Sequence, residues 1–328
     1  MTPQCYGPLS GSIKDAWTAF LSRMGLDADP CVESTVLIWE DDRIIAAGSR
    51  QKNVLKCIAV DPMHQGDGLT ATLLTHLRQD AFSAGFKHLF LYTKPQNLMQ
   101  FSSLFFYPIV KTDKVLLMEN IRGGIEQHLM QLDAPKKTGE IGAIVMHCNP
   151  FTLGHRYLIE TAAAKCDHLY LFILSEEQSI FSAADRLKLV KEGTSDLPNV
   201  TVNPTGQYLI SSATFPSYFI KDKGLVSDAH CELDIEVFTK YFVPHFGITH
   251  RFVGTEPTCS VTANYNKKLK DLLPKAGITV SEIPRLETDG QPVSASTVRS
   301  LLNTNQPERI QKLVPETTFA YLTEHNYI

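Results

Sequence analysis

Gly142-Ala143-Ile144-Val145-Met146-His147-Cys148-Asn149-Pro150-Phe151-Thr152-Leu153-Gly154-His155 runs from an apolar stretch through an Asn-Pro turn into a helical pattern. The apolar stretch reads as a buried strand over 141–146 and the continuation as a helix over 154–165. A helix that begins here turns unpaired N–H groups and a partial positive charge toward any anion beyond the strand end. Gly154 permits the close approach of a backbone or a phosphate. His155, in the first helical turn, can donate to a phosphate oxygen whose charge grows during reaction.

Outward from this segment, apolar strands and amphipathic helices alternate. Strands are predicted at 168–174, 200–202, 248–253 and 278–283, with helices at 183–192, 233–242 and 263–273. That alternation predicts an α/β domain with a parallel sheet and helices on both faces, which binds ligands at the carboxyl ends of its strands. Upstream, a strand at 54–60, a Gly-containing turn at 61–68, a helix from 69 to about 84 and a strand at 88–93 form a separate α/β unit. The polar stretch containing Arg122-Gly123-Gly124 and Ala134-Pro135-Lys136-Lys137-Thr138-Gly139 reads as a boundary. The expected organisation is a first domain over 1–122, a linker over 123–139 and a second domain over 140–328.

Composition narrows the class. A chain of 328 residues exceeds what one core usually organises. The formal charge of −4 argues against a general nucleic-acid binder, which needs an excess of Lys and Arg on one face. No apolar run approaches membrane-spanning length, and the opening MTPQCYGPLSGSIKDAW lacks the basic start and apolar core of a signal peptide. Seven scattered cysteines with no C-x-x-C pair suit a reducing compartment, so the expected location is the cytoplasm.

A second motif follows the last predicted strand: Val293-Ser294-Ala295-Ser296-Thr297-Val298-Arg299. The hydroxyls of Ser294, Ser296 and Thr297 and a helix N-terminus can bind phosphate oxygens, and the Arg299 guanidinium can neutralise a departing pyrophosphate. A plainer reading keeps Ser294 or Ser296 as an N-cap. Thr152-Leu153-Gly154-His155 resembles the (H/T)-x-G-H signature of the nucleotidyltransferase superfamily, and Val293–Arg299 its I-S-S-T-x-x-R signature. The two stand in the family's order. The segment 149–160, the segment 175–187 with Asp185-Arg186, the segment 211–219 and the segment 254–262 resemble citrate lyase ligases closely.

That resemblance implies a Rossmann-like nucleotidyltransferase domain of the HIGH-motif type, using ATP and Mg²⁺. It implies that ATP and acetate give an acetyl-adenylate, and that a thiol on the citrate lyase acyl-carrier subunit, at the end of a coenzyme-A-like arm, takes the acetyl group. Carried over by residue, Thr152, His155 and Arg299 are the catalytic set. Asn149, Phe151, Gly154, Gly254, Ser294, Ser296 and Thr297 join them in binding ATP. Three charged residues remain open: Arg186 and Lys221 reach either phosphates, a carrier surface or solvent, and Glu256 either organises magnesium or adenosine or is an ordinary loop carboxylate. His147 is either poised near the phosphates or turned out of the strand end. No residue set is assigned to the metal.

In the first domain Ile58-Ala59-Val60-Asp61 followed by Gln65-Gly66-Asp67-Gly68-Leu69-Thr70 resembles the coenzyme-A-binding motif of GNAT-type N-acetyltransferases, with Thr70 where that family has Gly or Ala. The resemblance implies a smaller GNAT-like domain in which Gln65, Gly66 and Gly68 hold a coenzyme-A-like arm, or a fold kept for support. Two other functions fit parts of the pattern: an adenylyltransferase that makes a dinucleotide from a phosphomonoester, and an acetyl-coenzyme-A-dependent N-acetyltransferase.

Overall fold

The structure is a computed structural model that describes residues 2–177, 179–211, 215–257, 259–288 and 290–328. It resolves into two compact units: Met1–Gly124 with Phe215–Leu233, and Ile125–Thr214 with Asp234–Ile328.

In the first unit β1 (Pro3–Tyr6), β2 (Ser34–Glu40), β3 (Arg43–Gln51), β4 (Val54–Val60), β5 (Phe90–Thr93), β6 (Tyr107–Lys111) and β7 (Leu116–Glu119) form one sheet in the order β1-β2-β3-β4-β5-β7-β6. Helices α1 (Gly11–Arg23), α2 (Leu69–Ser83) and α3 (Leu98–Ser102) accompany it. Helix α2 forms because Leu69, Leu73, Leu77 and Ala81 recur every fourth residue. That face is buried against Val36, Leu55 and Leu91 of the sheet. Strands β4 and β5 are parallel and pair at Val54↔Phe90 and Leu55↔Leu91, with no further pair among the described residues. At Cys57, β4 takes a positive φ of 51° and the strands part.

The gap is bridged by Tyr218, a residue distant in sequence. Its hydroxyl donates to the Tyr92 carbonyl of β5 at 2.9 Å and lies in hydrogen-bonding reach of the Cys57 backbone of β4, while its own carbonyl accepts from the Asp27 N–H. These anchors explain why Phe215–Leu233 belongs to the first unit although the sequence suggested one continuous second domain. Composition marks polar boundaries; an excursion secured by buried aromatic residues leaves no such mark.

The second unit holds α4 (Gly124–Met130), β8 (Ile141–Met146), α5 (Leu153–Ala163), β9 (His168–Ile173), α6 (Ala183–Glu192) and β10 (Val200–Pro204). After α7 (Val226–Val237) come α8 (Val243–Phe246), β11 (His250–Gly254), α9 (Ser260–Leu272) and β12 (Thr279–Ile283). A hairpin, β13 (Glu287–Thr288) and β14 (Gln291–Pro292), leads to α10 (Ala295–Asn303), α11 (Pro307–Gln311) and α12 (Glu316–Glu324). The sheet is parallel in the order β10-β9-β8-β11-β12, as the alternating pattern predicts. The expected linker 123–139 is ordered onto this unit. Ile125 and Leu129 are buried, Asp133 exchanges two hydrogen bonds with the Asn203 side chain, and Tyr170 donates to the Pro135 carbonyl.

The strand order places the site. The chain runs from β8 outward through β9 and β10, then returns to build β11 and β12 on the other side, so the switch point lies between β8 and β11. Strand β8 pairs with β9 along all six residues but with β11 only at His250↔Gly142 and Arg251↔Ala143. Toward their carboxyl ends β8 and β11 therefore separate and leave a crevice.

Candidate active site

A cavity of about 410 Å³ occupies this crevice. Its lining includes Thr152, Gly154 and His155 from the start of α5, Gly254 at the end of β11, and Ser294, Ser296 and Arg299 around the start of α10. The two motifs, far apart in sequence, are joined by direct contacts. Arg299 Nη1 donates to the Asn149 carbonyl at 2.5 Å. A Cβ on Gly154 would stand 2.6 Å from the Val293 carbonyl oxygen, so Gly154 is required by the close passage of the chain just before Ser294. Of the two approaches that a glycine permits, backbone and phosphate, the backbone is the one the structure displays.

Thr152 and His155 form a reciprocal cap. The Thr152 hydroxyl accepts the His155 N–H, and His155 Nδ1 faces the Thr152 N–H at 3.1 Å and the Thr152 hydroxyl at 2.9 Å. An N–H aimed at Nδ1 requires a lone pair there, so the ring proton sits on Nε2. The Thr152 backbone N–H thus fixes the tautomer that leaves the proton on Nε2. The half-buried ring is held neutral: burial, then the charges of Arg285 and His147, push its pKa down to about 4.

This depression has a stability consequence whose sign is fixed. Well above pH 6.5, the ordinary histidine value, His155 is neutral in both the folded and the unfolded chain, whereas at pH 6.5 the unfolded chain is already half protonated. Between there and about pH 4 the unfolded chain takes up a proton that the folded one refuses, so this contribution is present in full at higher pH and is lost as the pH falls through that window. The stability of wild type relative to His155→Asn, read from melting curves across this range, should fall toward acid. Parallel pH dependences would exclude the effect.

The second motif also carries the plainer role foreseen for it. Ser294 caps α10 by accepting the Thr297 N–H, and its hydroxyl lies 2.8 Å from those of Ser296 and Thr297. Ser296 lines the cavity, whereas Thr297 is exposed on the helix surface. Asn149 and Phe151 serve the frame. Asn149 supplies the carbonyl that holds Arg299, while Phe151 is fully buried in the core.

The three open charges resolve differently. Arg186 is fully buried and gives four of its five N–H donors to carbonyls, those of Phe181, His147, Leu174 and Glu176, so it clamps the loops after β8 and β9 and presents no exposed edge to phosphate or carrier. Lys221 belongs to the first unit, with its ammonium close against Gly25, and is not part of this cavity. Glu256 lines the cavity but its side chain is only 5% exposed; it pairs with Arg285 and accepts the Cys259 N–H, leaving little of it for a metal.

Arg285 was missed by the sequence reading. It follows β12, lines the cavity, and is held by the Thr255 carbonyl and by Glu256, so that a fixed cation faces the same space as His155 and Arg299. Its signal was a cation immediately past a predicted strand, at the edge where such sheets bind ligands. Ser212, Ala213, Thr214 and Thr258, part of the segments that carry the resemblance, lie outside the described residues.

In the first unit a cavity of about 780 Å³ is lined by Gln65, Gly66, Gly68 and Thr70 of the turn before α2, by Asn97 and Gln100, and by Tyr218. Gly66 and Gly68 have φ of 102° and 76° with no atom near a built Cβ, so backbone conformation rather than crowding requires glycine there. Thr70 is tied by Gln100.

Comparison with known proteins gives two family matches: the citrate lyase ligase C-terminal domain over residues 141–322 and the acetyltransferase (GNAT) family over residues 10–100. A citrate (pro-3S)-lyase ligase of Klebsiella pneumoniae is 44% identical over 317 residues, 95% of this chain and 93% of that protein. The Escherichia coli protein of the same name is 41% identical over 310 residues, 92% and 88% of the two chains. Among solved structures, Thermotoga maritima TmcAL bound with alpha-thio ATP aligns at 15% identity with a TM-score of 0.39, over 56% of this chain and 55% of that one. So distant a likeness adds nothing to the strand order.

Proposed function

Because this chain belongs to the citrate lyase ligase family, we propose that it acetylates the thiol of a citrate lyase acyl-carrier arm, using acetate and ATP through an acetyl-adenylate. It is an enzyme of the acid-thiol ligase type. The observation that supports the adenylation step best is the convergence of Thr152, His155 and Arg299 on one cavity at the switch point, with the His155 tautomer set to donate.

Acetate is an unreactive anion, and joining it to AMP makes a mixed anhydride with a good leaving group. An acetate oxygen attacks the α-phosphorus in line with pyrophosphate departure, so the protein's task is positioning and charge stabilisation. His155 Nε2–H and the start of α5 take phosphate oxygens. Arg299 and Arg285 offset the charge that grows on pyrophosphate. Among the described residues no group of three or more His, Cys, Asp or Glu side chains is arranged to hold a metal, so Mg²⁺ is proposed to arrive on the ATP phosphates.

The first unit, in this reading, receives the coenzyme-A-like arm, with Gln65, Gly66 and Gly68 around its pyrophosphate. Tyr218 speaks against the N-acetyltransferase alternative, since its hydroxyl bridges β4 and β5 beyond the point where their pairing ends. The dinucleotide-forming alternative has no use for a second cavity of this kind. Among the described residues no helix is long and apolar enough to cross a membrane. The described cysteines are all free, which supports a cytoplasmic site of action.

The deciding experiment is exchange of labelled pyrophosphate into ATP without any lyase. Label should enter ATP when acetate and magnesium are both present, because pyrophosphate can return to bound acetyl-adenylate. Exchange that ignores acetate, or that a phosphomonoester supports in its place, would remove the reading.

A further inference from the structure

The carboxyl ends of β8 and β9 carry a second group of polar side chains that adenylation leaves unused. His147 directly follows β8 and its side chain is 40% exposed. Its Nε2 lies 2.9 Å from the Ser179 hydroxyl and 3.8 Å from Glu176 Oε1. Glu176, in the loop after β9, has a side chain only 10% exposed. Its Oε2 accepts the Ser211 hydroxyl at 2.8 Å, whereas Oε1 is buried with no hydrogen-bond partner among the described residues. Arg186 fixes the pair by binding the carbonyls of both His147 and Glu176. These side chains are held in place, and phosphate binding gives them no role: a buried carboxylate repels phosphates, and it repels acetate equally.

We infer that His147 is the catalytic base that takes the proton of the incoming carrier thiol in the acetyl-transfer step, and that Glu176 positions it. With Nε2–H turned to Ser179 and Glu176, Nδ1 makes no hydrogen bond among the described residues and offers its lone pair. A neutral thiol meets no repulsion from Glu176, and it needs a base because an alkyl thiol, with a pKa of about 8.5, is only a few per cent ionised near pH 7. The S–H proton passes to Nδ1 and the sulfur forms a bond to the acetyl carbon. The bond from that carbon to the phosphate oxygen breaks, and its electron pair leaves with AMP. The proton then returns to solvent. The groups around His147 suit this: burial, Arg186 and Arg299 hold its pKa below the usual value against the opposing pull of Glu176, so the ring is neutral and able to accept at pH 7.

The inference rests on the ligase reading, and the two half-reactions separate their failures. Wild type must first show acetate-dependent pyrophosphate exchange; if it does not, the ligase reading fails before any variant is compared. In full-length His147→Gln, exchange should stay within about threefold of wild type, while transfer to thiol-form citrate lyase at pH 7 falls by about 10². With pantetheine and a fluorinated alkyl thiol as small acceptors, the deficit should be large for the first and small for the second, since an acidic thiol ionises without help. Glu176→Gln should lower transfer by about tenfold and move the acid limb of its pH profile to lower pH, because Glu176 raises the His147 pKa. Equal losses in exchange and transfer, or a deficit indifferent to thiol acidity, would overturn the assignment. Should His147→Gln not fold, an unshifted Glu176→Gln profile would overturn it alone.

Discussion

His155→Ala and Arg299→Ala should each lower acetate-dependent pyrophosphate exchange by roughly 10²–10³ with little loss of thermal stability. Both side chains line the crevice between β8 and β11, and each is directed by the frame: His155 by the Thr152 cap, Arg299 by the Asn149 carbonyl. In His155→Ala the half of the cap in which the Thr152 hydroxyl accepts the backbone N–H of residue 155 persists, and in both variants Phe151 stays in the core, so the fold keeps most of its anchors. The loss belongs to charge stabilisation of the departing pyrophosphate and should appear in turnover. Wild-type exchange in either variant would sink the assignment, and a loss confined to melting temperature would make the residues structural.

Arg186→Met should do the reverse. It keeps much of the side-chain volume but strips four buried carbonyls of their donor, each such loss costing about 1–3 kcal/mol before relaxation. A net loss of about 3 kcal/mol corresponds to a melting temperature lower by roughly 6–12 °C for a unit of this size. Circular dichroism melts test it. An unchanged melt with a selective loss of exchange would return Arg186 to a ligand-binding role, one of those the sequence left open.

The contrast between these residues marks how far the sequence could be read. The parallel sheet was legible because strand and helix periods alternate cleanly from Ile141 to Ile283, and alternation constrains connections strongly. The motif residues Thr152, Gly154, His155 and Arg299 were legible because a strand-turn-helix and a capped helix are local patterns with fixed spacing. The role of Arg186, left open, was not legible: an isolated Arg on a helix gives no local sign of four carbonyls contributed by three separate segments. Glu256 and Arg285 are 29 residues apart, and their pairing depends on β11 and β12 lying side by side.

The sequence by itself determined the alternation of elements, the two motifs and the family, since each is written in residue types at short range. Tertiary structure alone decided which of the nominated polar groups face the crevice and which hold it open. It decided too that Tyr218 bridges a sheet more than a hundred residues away in the chain. The physical reason is the same in each case. A buried polar group must find a partner to offset its desolvation, and the partner is chosen by the packing of distant strands rather than by its neighbours in sequence.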